Sequence, residues 1–171
     1  MKPALRVVGD PILREIARPV EIFDRELKDF AETMIRAMRE ENGIGLAAPQ
    51  IGVGRRLIVA AHMQDFDDYD SPELVLVNPE VVRVSQETWS YDEGCLSVPG
   101  ISASVVRPEE VEVNYQDLDG TPRSIAGTQL FGRILLHEID HLDGKLFIDY
   151  LSTAQRSLIK SKLKNIAHYK L

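Results

Sequence analysis

A single cysteine, Cys95, is all the thiol chemistry in the chain. It excludes an intramolecular disulfide, fits a reducing compartment such as the cytoplasm, and leaves that thiol available for reactivity or metal binding. Long apolar runs are also missing. No stretch is long enough to cross a bilayer, so no membrane partner is expected. Met1-Lys2-Pro3-Ala4-Leu5-Arg6 has neither a hydrophobic core nor a small-residue cleavage site, and no secretory signal is read there. Cations are in deficit: 20 Lys and Arg stand against 27 Asp and Glu, and the net charge of −7 argues against a general nucleic-acid binder. Repeats and low-complexity stretches are absent. What remains is 171 residues, 44% hydrophobic and 27% charged, the balance of one globular domain over 1–171 with one core.

Periodicity places the elements. Gly9-Asp10-Pro11 predicts a turn into a short helix, with Asp10 as N-cap. Leu27, Phe30, Met34 and Met38 recur at helical spacing over Asp24 to Glu41, and Asn42-Gly43 is the stop. Arg56 to Ala61 reads as a strand and His62 to Pro72 as an acidic loop. Leu74–Val77 and Val81–Val84 have strand character, broken at Asn78-Pro79. Val111 to Tyr115 alternates as a half-buried strand, Asp119-Gly120 is a hairpin turn, and Pro122 to Ile125 returns. Thr128 to Leu142 is helical, with Leu130, Ile134, His137 and His141 on one face and Gly144 as C-cap. Thr153 to His168 is a second periodic helix. Helix, short strands, then helices imply an α+β fold with mostly antiparallel sheets packed around a central helix, plus a C-terminal helix.

His137-Glu138-Ile139-Asp140-His141 carries the strongest chemistry. Residues four apart on a helix project from one face, so both imidazoles can aim at one metal ion. Glu138 lies beside them, placed to take a proton from a water held there. The bland alternative is a helix with two accidental histidines. Against it, Ile134-Leu135-Leu136 marks the helix as buried, and buried histidines need partners. A catalytic metal usually has three protein ligands and an open position. Asp143 and Asp149 are the acidic candidates downstream. Cys95, flanked by Glu93-Gly94 and Pro99-Gly100, is the better one, although a lone cysteine is usually a small buried hydrophobe.

Three segments, Gly43-Ile44-Gly45-Leu46-Ala47-Ala48-Pro49-Gln50-Ile51-Gly52, Glu93-Gly94-Cys95-Leu96-Ser97 and His137 to His141, resemble in order the signature motifs of peptide deformylases. Gly9 to Arg14 and Leu142 to Asp149 resemble that family too, so the likeness covers nearly the whole chain. It implies an enzyme that hydrolyses the formyl group from N-formylmethionyl peptides. Cys95, His137 and His141 would bind one divalent metal ion, natively Fe2+, though Zn2+, Ni2+ or Co2+ suit the same donors. Glu138 would be general base and then general acid. The Gln50 side chain and the Leu96 N–H would stabilise the oxyanion. Gly43, Ile44 and Gly45 would pair their backbone with the peptide, glycines allowing close approach. Leu130, Ile134 and Ile44 are candidates for the methionine slot, with core packing as the competing role. Two positions depart from the family: Leu136 stands where many members have Gln, and Ser102 where many have Arg.

Two other readings compete. A zinc endopeptidase would take an Asp or Glu as third ligand and leave Cys95 idle. A closed structural metal site would need a fourth ligand, and only His62 and His168 remain among the histidines. The tail adds a further expectation. Arg156, Lys160, Lys162, Lys164 and Lys170 follow Leu151 without one acid, so that segment carries +5 and the rest −12. By resemblance this basic helix would dock on the ribosome; an ordinary solvated face is the alternative.

Overall fold

The computed structural model describes residues 3–63, 68 and 70–168. Part of the expected 62–72 loop lies outside them, as do Lys170 and the His168 side chain. Helix α1 (Arg25–Glu40) begins where the Asp24 carboxylate accepts from the Leu27 N–H at 3.0 Å, and it buries Leu27, Met34 and Met38. It stops at Asn42, whose φ is 54°, with the Gly43 N–H donating to the Met38 carbonyl at 2.9 Å. Asp10 caps a short turn over Pro11–Arg14, which is a 3-10 helix.

The strands in chain order are β1 (Gly45–Ala47), β2 (Leu57–Ala61), β3 (Glu73–Val84), β4 (Thr88–Cys95), β5 (Val98–Pro108), β6 (Glu110–Gln116) and β7 (Pro122–Thr128). All pairings between these strands are antiparallel: a five-stranded sheet ordered β1-β2-β3-β6-β7, and the separate hairpin β4-β5. The expected break at Asn78-Pro79 is instead a bulge inside β3, where the register shifts between Val77 and Glu80. Asn78 has a φ of 51°. Its side chain accepts from the Val20 N–H at 2.7 Å and donates to Val20 O and Gln116 Oε1 at 2.9 and 2.8 Å. That pinning lets the strand continue through residues that usually end one.

Alternation along β2 shows how the core is layered. Leu57 and Val59 pack with α1, while Ile58 and Ala60 pack with Phe131, Leu135 and Ile139 of helix α2 (Gln129–Leu142). The five-stranded sheet therefore lies between α1 and α2. A third cluster joins Val98, Ile101 and Val105 of β5 to Phe147 and Ile148 of a 3-10 turn, with Ile159, Leu163 and Ile166 of helix α3 (Thr153–His168) partly buried against it. The apolar stripe of the basic helix thus holds it on the body.

The position of α2 is fixed at both ends. A Cβ on Gly127 of β7 would lie 2.9 Å from Gly132 Cα, so strand and helix start can touch only as glycines. At the far end Gly144, at φ 69°, closes a Schellman motif: its N–H donates to His141 O at 3.3 Å, and Lys145 N–H to Asp140 O at 2.9 Å. Among the described residues no helix is long and apolar enough to cross a membrane.

Candidate metal centre

Helix α2 supplies three of the candidate side chains, and its spacing puts His137 and His141 on the face turned toward the hairpin. Cys95 is the last residue of β4, and Leu96-Ser97 turn the chain so that Cys95 pairs with Val98. The ligand atoms of Cys95, His137 and His141 all lie within 4.8 Å of one another, with Cys95 Sγ 3.3 Å from His141 Nε2. A thiolate and two imidazole nitrogens converging from a helix and a hairpin suit a divalent transition metal, and three protein ligands leave a position open. Burial disfavours the charged form of the His141 imidazole and holds its pKa well below the usual value, which suits a neutral nitrogen donor. His137 is held well above it, burial opposing but the bonds to Cys95 and Glu93 prevailing, so metal uptake there would displace a proton.

The acidic alternatives are engaged elsewhere. Asp143 is 2.7 Å from Arg56 Nη1, and Asp149 is 2.6 Å from Arg14 Nη1 while accepting from the Leu146 N–H. The His62 ring lies against Phe131, at 4.5 Å between centroids.

Glu138 sits at the floor of a cleft of about 1030 Å³. It is buried, and burial pushes its carboxyl up to about 7. Its Oε2 has no protein partner among the described residues. Glu138 rests directly against Gly45: a Cβ there would lie 2.8 Å from Glu138 Cδ. Gln50 is equally buried and held at both ends of its amide. Its Oε1 accepts from the Ala47 N–H at 2.8 Å, and its Nε2 donates to Ser97 Oγ at 3.2 Å and faces Cys95 Sγ at 3.6 Å. The Gln50 N–H donors are thereby aimed at the ligand cluster.

Gly43, Ile44, Gly45, Gln50, Cys95, Leu96, Leu130, Ile134, His137 and Glu138 all line this cleft; His141 lies behind it, almost wholly buried. Leu130 and Ile134 belong to the main core as well, so lining and packing roles coexist. Leu136 packs against that core, and Ser102, opposite Gly94 in the hairpin, is exposed at the cleft.

A buried charge network behind the centre had no counterpart in the sequence reading. Glu93 accepts from Arg107 Nε and Nη2 at 2.6 and 3.0 Å, stands 3.7 Å from His137 Nδ1, and is 3.4 Å from Arg133 Nη1. Burial opposes its ionisation, but His137 and Arg107 win and hold its carboxyl down at about 2. The available signal was its place two residues before Cys95, which on a strand puts both on one face. Arg107 and Arg133 carry no local motif.

The chain is similar to known proteins over most of its length. The family model for polypeptide deformylase matches residues 3–157. The peptide deformylase of Bartonella tribocorum is 42% identical over 167 residues, covering 98% of this chain and 94% of that one. That of Dictyoglomus thermophilum is 45% identical over 145 residues, covering 85% and 90%. Among solved structures, a Legionella pneumophila peptide deformylase superposes with a TM-score of 0.88 at 40% identity, over 99% of this chain and 98% of that one. Arabidopsis thaliana peptide deformylase 1B in complex with an inhibitor gives 0.89 at 38%, over 95% and 88%. The chain belongs to the polypeptide deformylase family, metal-dependent enzymes that remove the formyl group from newly made peptides.

Proposed function

We propose that residues 1–171 work as one catalytic domain in which Cys95, His137 and His141 hold the metal and Glu138 moves the proton. The observation that carries this is the convergence of those three donors at a cleft floor where Glu138 is buried with one carboxylate oxygen unpartnered. The bound metal supplies Lewis acidity toward the formyl carbonyl and the attacking water. Glu138 takes a proton from that water as its oxygen bonds to the formyl carbon. As the C–N bond breaks, the same carboxyl returns a proton to the departing amine, leaving formate and a free N-terminus. In the metal-free protein burial pushes this carboxyl up to about 7, the direction that suits a group which both takes and returns a proton.

Gln50 Nε2, oriented by its bonds to Ala47 and Ser97, and the Leu96 N–H beside Cys95 are the donors for the oxyanion. An uncharged amide stabilises that oxygen without adding a full charge to the site. The substrate backbone lies along β1, the edge strand of the five-stranded sheet. Ile44 turns its carbonyl inward to the Ala61 N–H at 2.9 Å, so alternation leaves the backbone groups of Gly45 on the open edge. The Gly43 N–H is already taken by Met38, which confines its role to its carbonyl and its small size. Ile44, Leu130 and Ile134 form the apolar slot for methionine.

Fe2+ is the native ion in this reading, supported by the family resemblance, with Zn2+, Ni2+ and Co2+ as substitutes the donors accept. The cytoplasm is the place of action, consistent with a free thiol at the centre. The exposed Lys160, Lys162 and Lys164 of α3 contact the ribosome, while the Arg156 guanidinium is turned back onto the Asp149 and Leu151 carbonyls. Glu138→Gln tests the mechanism. The variant should keep its metal and lose formyl-peptide turnover by several orders of magnitude, because the amide fills the space but cannot accept the proton. Retained turnover in a metal-loaded sample rules that role out.

A further inference from the structure

The hairpin that carries Cys95 and the helix that carries both histidines belong to different elements, and no covalent feature fixes their separation. Two buried arginines bridge them behind the site: Arg133 of α2 donates to Trp89 O and Val105 O of the hairpin at 2.8 and 2.9 Å, and Arg107 reaches from the hairpin to the turn that carries the histidines. Arg107, on β5, is almost fully buried. It grips Glu93 of β4 through two parallel bonds of 2.6 and 3.0 Å, the fork geometry that only a guanidinium offers a carboxylate. Its third nitrogen reaches Asp140 of α2 at 2.8 Å, in the helical turn between His137 and His141. The Tyr150 hydroxyl donates to the same Asp140 oxygen at 2.8 Å, and the Tyr150 ring lies 4.8 Å below the guanidinium carbon. At the other end Glu93 faces His137 Nδ1 at 3.7 Å, which leaves Nε2 as the nitrogen turned to the cleft.

We propose that Arg107 is a positioning residue of the metal centre: by tying Glu93 to Asp140 it fixes the Cys95 hairpin against the histidine helix and sets the spacing of thiol and imidazoles. The inference rests on Cys95, His137 and His141 being the ligands, as argued above. A buried arginine that only neutralised Glu93 would need one contact and no link to α2. The bond to Asp140 and the stacking on Tyr150 are what a clamp requires and charge balance does not.

The test uses the Co2+-loaded enzyme. The wild type should show a sulfur-to-cobalt absorption band; its absence would refute the ligand set itself and remove the basis of the clamp. With the band present, Arg107→Met should move the cobalt bands and lose metal to a chelator roughly 10- to 100-fold faster, the usual scale for groups that orient a ligand. Arg107→Lys decides between clamp and counter-charge, because lysine keeps the charge but cannot fork to Glu93 and reach Asp140 together. The clamp predicts that Lys behaves nearer to Met than to the wild type. A Lys variant with wild-type spectrum and metal retention overturns the proposal. If neither arginine variant folds, Asp140→Asn and Tyr150→Phe probe the same bridge from its far side. Both should shift the cobalt bands and speed metal loss several-fold, and no change in either would overturn the clamp.

Discussion

Gly45→Ala is the smallest change that should damage the proposed chemistry without touching a polar group. The new methyl would fall 2.8 Å from Glu138 Cδ and Cγ and closer still to Oε1, whereas ordinary contacts begin at 3.4 Å. Either the carboxyl or β1 must move by at least about 0.6 Å to clear Cδ and Cγ, and by more to clear Oε1. The residue is not in a left-handed conformation, so the effect is steric alone. Overpacking of this kind costs about 1–3 kcal/mol of stability. Misplacing a catalytic group by about 1 Å costs on the order of 10²-fold, so kcat/KM on a formyl-Met tripeptide should fall roughly 10- to 100-fold. Metal content should stay at the wild-type level. Two controls grade the series. Gly54→Ala has nothing within 4 Å of the new atom and should be neutral, while Gly43→Ala meets the flexible end of Leu96 at 3.0 Å and backbone oxygens no nearer than 3.4 Å and should fall between it and Gly45→Ala. A Gly45→Ala enzyme with unchanged kcat/KM and melting temperature would refute the placement of Glu138 against β1.

Other outcomes follow from the same structure. In the metal-free protein, Glu93 is held at about 2 against an ordinary 4.5. Its contribution of about 3 kcal/mol should be present above pH 4.5 and lost as pH falls from there toward 2. Acid unfolding of Glu93→Gln should lack that component, and at neutral pH the variant should be less stable by about 3 kcal/mol because buried Arg107 loses its bidentate carboxylate and is left with Asp140. If iron is native, activity purified in air should decay and return on loading nickel or cobalt, since a ferrous thiolate is open to oxidation; lasting full activity with zinc alone would contradict that. Replacing Lys160, Lys162, Lys164 and Lys170 by Gln should weaken ribosome co-sedimentation in a salt-dependent way and leave short-peptide cleavage near normal. Unchanged binding at low salt by a folded variant would leave α3 a structural helix.

Much of the centre was legible because its information is local. The four-residue spacing of His137 and His141 needs only a helix, and Asp24 and Gly144 mark helix ends through bonds a few residues long. The antiparallel α+β class followed from the order of elements. What was not legible depends on distant partners. Asn78-Pro79 reads as a breaker, yet contacts with Val20 and Gln116 turn it into a bulge. Thr88–Cys95 is polar and mostly exposed, without the alternation of a half-buried strand, because it pairs only with β5. Arg107 looks like any surface arginine in the sequence. Only the fold brings Glu93 and Asp140, 14 and 33 positions away, to its two faces.

Cys95 is the proposed third metal ligand of the centre, and Cys95→Ala removes its sulfur while leaving both histidines in place. Metal content and hydrolysis of a formyl-Met peptide are to be measured on the same folded sample beside the wild type. The wild type should hold one metal ion per chain and turn over, and the variant should lose both together. A Cys95→Ala protein that keeps its metal and its turnover would contradict that ligand assignment and place the third ligand on a carboxylate.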